Sequence, residues 1–118
     1  MRVAPLIVGL LVSAGACRRG CQDACEVATW AQMKGYLRTI AIAESTYFAT
    51  NLRFARTLDS FDIDPVPATA RAWIEVADSA GLLVLATDPS TNGVCHVKLV
   101  VEGGVPMERG RTCDYPAR

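Results

Sequence analysis

A chain of 118 residues has room for one domain with a modest core. Its apolar half (51%) and charged fifth (20%) exclude an intrinsically disordered polymer. Twelve basic residues balance twelve acidic ones, so there is no positive field with which to hold nucleic acid, and no nucleic-acid partner is expected.

Arg2 gives the N-terminus a small positive region, and Val3 to Ala16 is then apolar or small throughout. This run of about 14 residues fits the apolar stretch of an export signal. It is too short for a membrane-spanning helix, which needs about 20 residues to cross roughly 30 Å of hydrocarbon. Residues 1–16 are therefore read as a signal peptide and 17–21 as a tether, with the domain spanning 22–118.

The run closes on Ser13-Ala14-Gly15-Ala16-Cys17, small residues that admit a chain to a signal-peptidase cleft. The segment resembles the bacterial lipobox, with Ala14 where that family usually has leucine. The resemblance implies cleavage before Cys17 and lipid on its sulfur, each buried methylene contributing about 0.8 kcal/mol to membrane attachment. Cleavage as an ordinary secretory signal, with Cys17 left as a thiol, and an uncleaved buried segment are the alternatives.

Five cysteines are an odd number for an exported protein. Giving Cys17 to lipid leaves Cys21, Cys25, Cys95 and Cys113, an even set for an oxidising compartment. Four cysteines allow three pairings. Cys95–Cys113 is favoured because it closes a loop and pins the end of a small domain. Cys21 and Cys25, one helical turn apart, read as a bridge within the domain or to a second copy; free thiols or half a metal site are the alternatives.

From about Gln22 apolar residues recur at steps of three and four, with no proline before Pro65. Val27, Trp30, Leu37, Ile40 and Tyr47, flanked by Ala28, Ala31, Ala41 and Ala43, predict a helix over about 22–50, with Gly35 as its weak point. Residues 51–64 read as a helix exit and irregular loop pinned by Phe54, Leu58 and Phe61. Pro65 and Pro67 then exclude regular structure.

Ala72, Ile74 and Val76 alternate with Trp73, Glu75 and Ala77, predicting a half-buried strand. Asp78 to Gly81 is a turn, and Leu82 to Thr87 is apolar enough for a central strand. Residues 88–93 are dense in turn formers. In the next strand Cys95, Val97, Leu99 and Val101 share one face, with His96, Lys98 and Glu102 on the other. Gly103-Gly104 and Pro106 end it, and the tail is expected to run irregularly to Cys113. The resulting fold class is α+β, a long N-terminal helix packed on a small antiparallel sheet of about three to four strands.

The order Leu37-Arg38-Thr39-Ile40-Ala41, Tyr47-Phe48-Ala49-Thr50-Asn51, Phe54-Ala55 and Leu58-Asp59-Ser60-Phe61 resembles the globular head of type IV pilins and pseudopilins. Gly81 to Thr87, Gly93 to Val97 and the late Cys113 are similar to that family's sheet and C-terminal disulfide loop. The resemblance covers roughly residues 33–113 and implies a pilin-like head. The prepilin cleavage site and apolar half-helix that pack a filament core have no counterpart, so assembly into a pilus is not implied.

The one histidine, His96, cannot form a dyad with Cys95, since neighbours in a strand point to opposite faces. Asp59, Asp62 and Asp64 lie close enough in sequence for a calcium site but read as an acidic solvated loop. No catalytic residue, metal site, cofactor or small-molecule substrate is identified. The expectation is an exported cell-envelope protein, not an enzyme, held to the membrane by lipid and facing the periplasm or exterior. Its role would be structural or protein-binding, with other envelope proteins as partners. A periplasmic small-ligand or calcium-binding module is the alternative, and a thiol redox protein a lesser one.

Overall fold

A computed structural model describes residues 22–114 and has one helix packed on a four-stranded antiparallel sheet, an α+β arrangement. The helix α1 spans Gln22–Asn51. The strands are β1 (Arg71–Ala77), β2 (Gly81–Thr87), β3 (Val94–Glu102) and β4 (Val105–Asp114), hydrogen-bonded in chain order as a meander. Among the described residues no helix is long and apolar enough to cross a membrane.

The buried seam of α1 is Trp30, Met33, Tyr36, Leu37, Ile40, Ala41 and Phe48. It lies mainly across β3 and β4 and also touches β2. The facing residues are Leu82, Val84 and Ala86 of β2, Cys95, Val97 and Leu99 of β3, and Cys113 of β4. Ala72, Ile74 and Ala77 of β1 are half-buried against the same core. The seam is rotated from its expected N-terminal position, because Val27, Ala28 and Ala31 are exposed whereas Met33 is fully buried. Alanines mark a helix face weakly, as they fit either side of it.

α1 ends on Leu52, whose φ of 58° places it in the left-handed region. Its N–H donates to the Phe48 carbonyl at 2.8 Å, and the Asn51 side-chain amide donates to the Tyr47 carbonyl at 2.9 Å. This is a left-handed helix cap, where glycine is the usual residue. Leu52 is 76% exposed, so its side chain contributes little packing to offset the backbone cost. Leu52→Gly is expected to stabilise the domain by about 1 kcal/mol, read as a higher midpoint in urea denaturation.

Beyond the cap, Phe54 is buried against Phe48, ring centroids 4.8 Å apart, and Phe61 meets Tyr47 edge to face at 6.0 Å. Leu58 opens a short 3₁₀ turn, Leu58–Ser60, and packs partly on the core. The aromatic pins expected from sequence thus hold the connection to the end of α1.

Two strands depart from the sequence reading. In β1 the register slips between Ile74 and Val76, so Ala77 faces the core and Val76 is exposed, reversing their expected sides. A bulge moves every later side chain to the other face. The tail after Glu102 is not irregular: Gly103 and Gly104, with φ of 59° and 79°, make a two-residue turn that returns the chain as β4. Two consecutive positive φ values are what such a tight hairpin needs, and glycine supplies them without steric cost. Pro106 does not end structure but sits inside β4, tolerated because β4 is an edge strand.

Glycine is required at Gly81 for a different reason. A Cβ there would stand 2.7 Å from the Leu99 carbonyl oxygen, where β2 passes β3. The Asp78 carboxylate closes the preceding turn, accepting the Ala80 and Gly81 N–H groups at 2.8 and 2.9 Å.

Candidate functional site

Cys17 and Cys21 lie outside the described residues, so the lipid assignment and half of the proposed helix-turn pair have no geometry here. Cys25 is half-buried and disulfide-bonded. Cys95 and Cys113 face one another directly across β3 and β4 and form a disulfide. The Cys113 sulfur lies 3.9 Å from the Trp30 carbonyl, so the bond is sealed beneath α1. Cys95 is wholly buried and Cys113 nearly so, which removes both from thiol chemistry in the folded domain.

His96 points to the face opposite Cys95, with its Nδ1 3.7 Å from the Asp114 carboxylate. Asp59, Asp62 and Asp64 are exposed along the connection. Among the described residues no three His, Cys, Asp or Glu side chains converge as metal donors. A shallow groove beside α1 is lined by Arg38, Ala41, Ile42, Ser45, Thr46, Leu99 and Glu108. Of its charged groups, Glu108 is already paired with Arg111 at 3.4 Å.

Two buried carboxyls that the sequence reading passed over are the chemically distinctive groups of the domain. Glu44 falls on the buried seam of α1, one turn from Ile40 and one from Phe48, and has no exposed surface. Its Oε1 accepts the Ala55 N–H at 2.8 Å, and its buried Oε2 has no hydrogen-bond partner. Burial pushes its pKa up to about 7, against a smaller lowering by the Ala55 hydrogen bond. The spacing Leu37, Ile40, Glu44, Phe48 carried this signal, a charge interrupting an apolar stripe, but a glutamate in a helix ordinarily reads as a solvated face.

Asp88 caps the end of β2 and is 3% exposed. Its carboxylate accepts the Thr69 hydroxyl, the Ser90 hydroxyl and the Ser90 N–H, the last at 3.0 Å. Burial works to raise its pKa, but the hydrogen bonds from Ser90 and Thr69 outweigh it and hold the carboxyl below its ordinary value. The two carboxyls therefore lean in opposite directions. Glu44 favours the neutral acid and Asp88 the anion.

No protein-family model, curated protein or solved structure matches the chain.

Proposed function

We propose that this chain is an exported cell-envelope lipoprotein, anchored through Cys17, whose pilin-like head is a structural or protein-interaction module. The observation that carries the reading is the apolar stretch from Val3 to Ala16, closed by small residues directly before Cys17. Cysteine chemistry supports it. Cys95 is bonded to Cys113, and Cys25 is also oxidised, as suits an oxidising compartment. Five cysteines with two bonds leave a single thiol. Assigning Cys21 to Cys25 makes that thiol Cys17, the residue the lipobox resemblance selects.

The head is read as pilin-like because one helix covers one face of an antiparallel meander and leads into aromatic pins at Phe54 and Phe61. The lipid takes the place of a pilin's apolar half-helix as the anchor. Other envelope proteins are the partners this arrangement suits, and no chemical step is assigned to it.

Expression in a bacterial host with labelled palmitate tests the anchor. The wild-type chain and Cys21→Ser are expected to carry label, and Cys17→Ser to carry none. Label that persists in Cys17→Ser, or a purified native protein whose mass includes Met1, would sink the proposal.

A further inference from the structure

The connection between α1 and β1, residues 52–70, runs back beside α1 with little hydrogen bonding of its own. Its backbone bonds are local: Leu52 to Phe48, Phe61 to Leu58 and Ala70 to Pro67. Two buried carboxyls tie it to other elements. Glu44 of α1 holds the Ala55 N–H near its start, and Asp88 holds the Thr69 hydroxyl at its end. Asp88 is satisfied on both oxygens and adds its own carbonyl, which accepts the Thr91 N–H at 3.0 Å. Glu44 has one bond and one buried oxygen without a partner.

An unpartnered oxygen of a buried carboxyl is tolerated when the group is neutral and costs far more when it is ionised. We propose that Glu44 is a proton-controlled latch: neutral, it keeps the connection seated on the core, and ionised, it releases the Ala55 end while Asp88 retains the Thr69 end. The raised pKa of Glu44 places the change near neutrality, well away from ordinary carboxyl titration.

No neighbouring charge is positioned to cancel this response. On α1 the titratable residue within one turn is Tyr47, whose ring is engaged with Phe61. On the connection, Arg53 and Arg56 flank Ala55 and both are exposed. Along the groove toward the sheet, Arg38 is exposed and Glu108 is paired with Arg111. None of these is hydrogen-bonded or ion-paired to Glu44. The core-facing side chains of β2 and β3 are Leu82, Val84, Ala86, Val97 and Leu99 with the bonded Cys95, none of which titrates.

Amide hydrogen exchange on the mature, disulfide-intact protein tests the latch, with rates corrected for the intrinsic effect of pH. Protection at Ala55 and Phe61 is expected to fall about ten-fold between pH 6 and pH 8. It should also lie below that of Val97, which reports global unfolding. In Glu44→Gln the Ala55 and Phe61 protection should be unchanged over that interval. Protection at Ala55 that is constant in the wild type, or that matches Val97 at both pH values, would overturn the proposal. Where Glu44→Gln does not fold, carbon-detected titration of the Glu44 carboxyl in the wild type decides. A midpoint near 7 sustains the latch, and one near 4.5 refutes it.

Discussion

Replacing Cys95 and Cys113 together by alanine is expected to destabilise the domain by about 3 kcal/mol. The bond closes a loop with a sequence separation of 18, and freeing it returns that loop's entropy to the unfolded chain. The native state is also affected unevenly. β4 is an edge strand in which Cys113 is the buried side chain, the remainder being half-buried or exposed. Its grip on the core therefore depends on the bond and on its ladder with β3. Beside a total stability of about 5–15 kcal/mol for a small domain, such a loss is a large share. Urea denaturation of the wild type and the double variant, both without reductant, would measure it, and exchange of β4 amides should accelerate before those of β2. Equal acceleration across the sheet would show that the bond acts only through the unfolded chain.

Glu44 is expected to make stability fall as pH rises, opposite to the usual effect of a paired carboxylate. Its folded pKa of about 7 lies above its ordinary 4.5, so the unfolded chain releases the proton first. The domain is not penalised below about pH 4.5, loses stability progressively from there to about pH 7, and is level beyond. The shift corresponds to about 3 kcal/mol. Asp88 acts at the other end: its pKa is lowered, so its contribution is present above the ordinary aspartate value and is lost as pH falls through the lowered one. Together they put the most stable interval in weakly acidic solution. Denaturation curves from pH 5 to pH 8 check this, with Glu44→Gln expected to remove most of the slope. An unchanged slope in that variant would assign the dependence elsewhere.

Much of the architecture was legible because its signals are local. The three-and-four spacing of Trp30, Leu37 and Ile40 marks a helix, and the alternation of Cys95, Val97 and Leu99 marks a strand facing the core. Loop closure favours Cys95–Cys113 among the three pairings open to four cysteines, and the register places the two directly opposite. β4 is not legible in its sequence, which, with Pro106, Glu108, Arg109 and Arg111, lacks an apolar stripe. An edge strand gains its order from the ladder with its neighbour, not from burial. The outward turn of Val76 is hidden from sequence for a related reason, since a bulge is a property of two strands and not of one.

By itself, the sequence determined the helix, the two central strands and the turns, all written in the spacing of neighbouring residues. Tertiary structure alone decided which side of α1 is covered, that the tail returns as a fourth strand, and that Glu44 and Asp88 are taken out of water. Burial is what turns an ordinary carboxyl into one that resists ionisation. It depends on residues distant in the chain: Ala55 arriving at Glu44, and Thr69 arriving at Asp88.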